Sequence, residues 1–151
     1  MGVDVDSFGK VLCDRTSPLK DRFRALFALR NIKTKESVDW ICQAFEGEES
    51  ALLKHELAYC LGQMQLDCAI PRLTRVLQDD QEGVMVRHEA GEALGAIGAL
   101  SSLDILTQYS NHKVAEIAET CTLASSRIRT LHGLEPTNET DSQEKSPFDS
   151  V

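Results

Sequence analysis

Residues 52–65 read LLKHELAYCLGQMQ, and residues 84–98 read VMVRHEAGEALGAIG. Aligned on His55 and His88, which stand 33 residues apart, Lys54 meets Arg87, Ala58 meets Gly91, Leu61 meets Leu94 and Gly62 meets Gly95. A repeated unit ordinarily keeps the apolar frame that stacks on its neighbour and lets polar positions drift. Here the polar pairs His55-Glu56 and His88-Glu89 recur in register with that frame. The recurrence implies an α-helical repeat and makes a metal site the leading reading of the two pairs.

The same period extends outward. Leu29-Arg30-Asn31-Ile32 echoes Leu61-Gly62-Gln63-Met64 at an offset of 32, and Ala118, Cys121 and Ala124 echo Ala90, Ala93 and Ala96 at 28. Helical spacing of apolar residues predicts four helical pairs. Val5 to Cys13 is followed by a helix that Ser17 caps, with Pro18 at its first position. Lys33 to Phe45 forms a third helix, with Trp40, Ile41 and Phe45 facing inward, and Ser50 caps a fourth that runs to about Met64. Ala69 to Gln78 tolerates Pro71 in its first turn. Asp79 to Gly83 is a turn, Met85 to Ile97 carries the second His-Glu pair, and Ser101 to Tyr109 and Lys113 to about His132 complete the set. The expected fold is all-α, a HEAT-like α-solenoid of about four helical-hairpin repeats over residues 1–132. From Gly133 the chain turns acidic and aperiodic, which predicts a disordered acidic tail or interdomain linker over 133–151.

Bulk composition narrows the function. The chain has 151 residues and a net charge of −8, half of it in the last 19 residues. No basic face is visible, so nucleic acid is not an expected partner. No stretch approaches the roughly 20 apolar residues of a membrane span. The start, MGVDVDSFGK, does not resemble a secretory signal. Cys13, Cys42, Cys60, Cys68 and Cys121 are odd in number and lack CxxC spacing; they read as small packing residues in a reducing cytoplasm.

Equivalent helices of adjacent repeats lie roughly 8–10 Å apart. Two imidazoles projecting from the same edge can span that gap to one ion, at nitrogen–metal bonds of about 2 Å. Glu56 and Glu89 point about 100° further round their helices and can add carboxylate oxygens or support the histidines from behind. Imidazole with carboxylate suits iron, manganese or zinc. For one pair alone the competing reading is a solvated helix start, where the dipole favours glutamate. Glu92 reads as solvated charge, with a place on the concave surface as its other reading. His112, in a turn, and His132, ending a helix, read as structural. Gly91, Gly95 and Gly98 read as close-approach positions between helices rather than as a phosphate loop, for which the spacing is wrong.

The stretches KHELAYCLGQMQ and MVRHEAGEALGAIG, with RFRALFALRN upstream, resemble the N-terminal half of the deoxyhypusine hydroxylase (deoxyhypusine monooxygenase) family over roughly residues 5–132. The resemblance implies HEAT-like repeats in two related halves with two His-Glu pairs each, and a non-haem di-iron centre between the halves that starts from Fe(II). It implies O2-dependent hydroxylation of the deoxyhypusine side chain of a translation factor, yielding hypusine. By position, His55, His88 and Glu89 would be iron ligands. Glu56 would be a further ligand or a catalytic carboxylate that meets the cationic amine of the substrate. This chain carries two of the family's four pairs, so the resemblance makes it half of the catalytic unit; a homodimer, or pairing with a second half, would set two half-sites face to face. The alternative reading is a metal-free HEAT-repeat scaffold that binds a protein partner.

Overall fold

A computed structural model describes residues 4–134. Eight helices run in order: α1 Val5–Cys13, α2 Leu19–Ile32, α3 Lys35–Ala44, α4 Ala51–Met64, α5 Ile70–Gln78, α6 Val84–Ile97, α7 Leu103–Tyr109 and α8 Ala115–Leu131. Single 3-10 turns, Asp67–Ala69 and Leu100–Ser102, lead into α5 and α7. No strand occurs among the described residues. The expected tail lies outside them from residue 135 onward.

The helices pair α1/α2, α3/α4, α5/α6 and α7/α8, and the second member of each pair packs on the second member of the next. One contiguous core results. Leu26, Leu29, Ile41, Leu53, Leu57, Leu61, Leu73, Leu77, Leu94, Leu106, Ile117 and Ile128 are all fully buried in it. Helix α4 shows why the apolar period places the site. Ser50 caps it by accepting a hydrogen bond from the Leu53 amide at 3.1 Å, and Leu53, Leu57 and Leu61 then fall on one inward stripe. His55 and Glu56 are left at the half-buried margin.

Several helix boundaries differ from the sequence reading by one or two residues: α3 ends at Ala44, α5 starts at Ile70, α6 at Val84, α7 at Leu103 and α8 at Ala115. Pro18 occupies the N-cap of α2 rather than its first turn. Helix α3 starts at Lys35, because Lys33 adopts a left-handed conformation (φ 59°) that ends α2, and Thr34 then caps α3 in a reciprocal capping box with Ser37. The position recurs: Gln65 (φ 57°) closes α4 and Gly98 (φ 74°) closes α6. Only the last of the three is a glycine.

A second device also repeats. Arg22 Nε donates to the Leu12 carbonyl at 2.8 Å and Arg87 Nε to the Leu77 carbonyl at 2.9 Å. Each buried guanidinium thus satisfies a carbonyl in the last turn of the preceding helix, which has no intrahelical partner. At the equivalent place Lys54 Nζ pairs with Glu82 at 2.9 Å. Arg22 and Arg87 therefore tie their own hairpins together, whereas Lys54 ties its hairpin to the turn between α5 and α6 of the next one.

The glycines set the distance between repeats, as the sequence reading expects. A Cβ on Gly62 would lie 2.9 Å from the Cα of Ala93, and one on Gly95 2.7 Å from the Cβ of Ala124. Gly62→Ala is expected to destabilise the chain by about 1–2 kcal/mol in urea unfolding, because forced separation of α4 from α6 costs more than alanine's helix propensity returns. A stabilised variant would show that this contact relaxes freely. Of the cysteines, Cys60 and Cys121 are buried, Cys13 and Cys42 half-buried, and none is disulfide-bonded. Cys68 is exposed and does not fit the packing reading.

Candidate metal centre

His55 and His88 are each the fifth residue of their helices, α4 and α6. Helix α6 lies between α4 and α8, pressed against both where Gly62 meets Ala93 and Gly95 meets Ala124. That closeness buries Glu89 to 7% exposure, while Glu56 stays half-buried.

Three side chains converge. One ligand atom each from His88, Glu89 and Glu92 can be chosen so that all lie within 4.8 Å of one another. His88 Nδ1 stands 4.0 Å from the Glu92 carboxylate, is shielded from solvent, and has no hydrogen-bond partner. His55 joins through Glu89, its Nε2 lying 3.0 Å from Glu89 Oε1. Of the four residues singled out in the sequence, His88 and Glu89 thus belong to the convergent group and His55 contacts it. Glu56 lies outside the group of three but close enough to act on the charge of Glu89. Glu92 is the residue that sequence reasoning passed over as solvated charge. Its signal was the i, i+4 spacing from His88, which puts both on one helix face.

The electrostatics favour a cation. Burial raises the pKa of Glu89, and the neighbouring Glu92 carboxylate pushes in the same direction; His55 and His88 oppose them, and Glu56 adds a smaller upward push. An ionised Glu89 is therefore under strain that a positive ion would relieve. The donor set fits such an ion: an orphaned imidazole nitrogen with two carboxylates matches Fe(II), Mn(II) or Zn(II). Cys60 is not a competing ligand, because burial pushes its thiol up to about 12 and metal binding requires the thiolate.

The two remaining histidines are accounted for locally. His112 stacks on Tyr109 with centroids 5.7 Å apart, and its Nδ1 accepts from the Val114 amide. His132 follows α8 and places Nε2 2.9 Å from the Gly98 carbonyl. A cleft of about 520 Å³ opens beside the convergent group, between α6 and α8.

The family model for HEAT repeats matches residues 6–85, more than half the chain. The chain belongs to the HEAT-repeat family. A second model of that kind, the PBS lyase HEAT-like repeat, matches residues 86–112. Within the family the chain is similar to deoxyhypusine hydroxylases. It is 58% identical to the Homo sapiens protein over 135 residues, covering 88% of this chain and 44% of that protein. To the Gallus gallus protein it is 52% identical over 150 residues, covering 98% and 48%. A solved structure of human deoxyhypusine hydroxylase in complex with glycerol superposes with a TM-score of 0.82 at 57% identity, covering 88% of this chain and 46% of that one. The chain spans a little under half the length of these relatives.

Proposed function

We propose that this chain supplies one half of an iron-dependent deoxyhypusine hydroxylase. The observation that carries the reading is the convergence of His88, Glu89 and Glu92 on one point, with His55 held on Glu89. The substrate is the deoxyhypusine side chain of a translation factor, and hydroxylation places one oxygen atom of O2 on carbon while the other leaves as water, with two electrons drawn from an external reductant. Bound iron would supply the oxidising power for breaking the C–H bond, and the protein the orientation.

On this reading His88 and Glu89 hold the ion, with His55 and Glu56 as the other expected ligands. In the arrangement described, His55 fixes the rotamer of Glu89 through their 3.0 Å contact. Glu56 is either that further ligand or the carboxylate that meets the cationic amine of the substrate. Residues 1–132 form the repeat domain, and the acidic segment 133–151 acts as a linker. The second set of ligands comes from a partner, either a second half or another copy of this chain. No helix among the described residues is long and apolar enough to cross a membrane, and with five unpaired thiols we place the protein in the cytoplasm.

Elemental analysis of chain produced in iron-replete medium tests the reading. The expected result is stoichiometric iron in the native chain and loss of at least about 90% of it in His88→Ala, since removing one of few ligands costs several kcal/mol of affinity. Equal iron in both proteins would sink it. A metal-free scaffold predicts no stoichiometric metal and a partner interaction that survives loss of both histidines. In its favour, Leu52 (62% exposed) and Met85 (57%) present apolar side chains one turn before His55 and His88.

A further inference from the structure

Cys68 is exposed, whereas each of the other four cysteines is buried or half-buried. It stands in the 3-10 turn Asp67–Ala69 that leads into α5. Helix α3 meets the following repeat chiefly at this turn rather than along α5. Within α3, Lys35, Asp39 and Cys42 follow at i, i+4 and i+7 and share one face. Lys35 and Asp39 pair there at 3.0 Å. Cys68 lies against that face, near enough to act on the charges of both Cys42 and Lys35. Two thiols from adjacent repeats, 26 residues apart in sequence, thus come together across one packed contact.

The two thiols differ in what they can do. Burial pushes the Cys42 thiol up to about 11, against the pull of Arg72. Cys42 is therefore mostly protonated at neutral pH and slow to meet an oxidant from solution. Cys68 is open to solvent. Cys42 also lies in the field of Arg72 and Arg75 of α5, which converge on Glu46 at 2.6 and 3.7 Å. Those guanidinium groups favour the thiolate form of Cys42 when a neighbouring sulfur has been activated for attack. An accessible thiol that reacts first and a shielded one that closes the bond make a complementary pair.

We propose that Cys68 and Cys42 form an oxidation site for hydrogen peroxide, with a disulfide between them as its product. The Cys68 thiolate attacks the peroxide: an S–O bond forms, the O–O bond breaks and hydroxide leaves. The Cys42 thiolate then attacks the Cys68 sulfur: the S–S bond forms, the S–O bond breaks and a second hydroxide leaves. The protons released by the two thiols convert both hydroxides to water. Two electrons pass from the thiols to one molecule of peroxide. The product staples α3 to the turn before α5, and a reducing thiol reverses it, as suits a transient bond in a reducing compartment. None of these steps uses His55, His88, Glu89 or Glu92, so the site stands whether or not the hydroxylase reading does.

Mass spectrometry of the full chain treated with hydrogen peroxide, with a chelator in solution to suppress free-iron chemistry, tests the proposal. The native chain should lose two hydrogen atoms, gain no oxygen, and yield a peptide pair joined through Cys42 and Cys68. Cys42→Ser should stop at an oxygen adduct on Cys68 that dimedone captures. Cys68→Ser should leave Cys42 reduced, with oxidation at least about tenfold slower than that of Cys68 in the native chain. Dithiothreitol should restore both thiols of the native chain. A cross-link that persists in Cys68→Ser overturns the proposal, because another cysteine would then be the partner. So does a dimer joined through Cys68 in place of the internal bond, or a native chain in which both thiols acquire oxygen without joining.

Discussion

Replacing Glu48 with alanine is expected to destabilise the chain by about 3–5 kcal/mol, the cost of leaving a buried charge without its partner. Arg22 and Glu48 meet at 2.6 Å with side chains only 5% and 4% exposed. The Arg22 Nε is committed to the Leu12 carbonyl, and the second Glu48 oxygen accepts from the Ser50 amide at 3.0 Å. One carboxylate therefore joins the end of α1, the start of α2 and the cap of α4. Burial alone would raise the Glu48 pKa, but the Arg22 hydrogen bond and the Ser50 amide outweigh it and hold the group below the ordinary glutamate range. The sign follows. A carboxyl whose folded pKa is depressed contributes stability that is present above the unfolded value, about 4.5, and is lost as pH falls through the folded one. Urea unfolding of the native chain should weaken below pH 4.5, and Glu48→Gln should flatten that part of the profile. Arg22→Met combined with Glu48→Leu should cost less than Glu48→Ala, because an apolar pair leaves no stranded charge. A Glu48→Ala penalty under about 1 kcal/mol would show that water reaches Arg22.

Glu89→Gln is expected to act in opposite directions in the presence and absence of metal. Burial and then Glu92 raise the Glu89 pKa, so without metal its ionisation opposes folding. Stability is then lost as pH rises from the unfolded value through the folded one. The metal-free variant should equal or exceed the native chain in Tm at neutral pH. With Fe(II) added anaerobically at about 100 times its dissociation constant, the native chain should gain about 2.7 kcal/mol. At about 2–4 °C per kcal/mol for a chain of this size, that is a rise of roughly 5–10 °C. The variant should show almost none. Differential scanning calorimetry with and without iron reads both effects. A variant that keeps the full iron-induced rise would remove Glu89 from the ligand set and leave His88 and Glu92 as its core.

Much of this molecule could be read from local pattern. The period near 33 residues, the Ser50 cap, the turn at residues 79–83, and the His55-Glu56 and His88-Glu89 pairs each depend on residues close in sequence. Helical spacing and capping chemistry report such features directly. Where the local reading missed, the cause was a residue used against its habit. Lys33 takes the left-handed conformation that glycine takes at Gly98, and so α3 starts two residues later than the sequence reading places it.

The site itself was settled across repeats. Sequence alone determined an all-α repeat protein with two histidine–glutamate pairs at equivalent positions and an acidic balance. Which carboxylates reach which imidazole depended on the separation of α4, α6 and α8, set where Gly62 and Gly95 let backbone meet backbone. That approach buries Glu89 and brings His55 onto it. It also leaves room beside Glu92 for a cleft with Glu116 and Glu119 on its far wall. The physical reason is one of range: periodicity states which face of a helix a residue occupies, whereas a contact distance between helices is the sum of many small side chains packing at once.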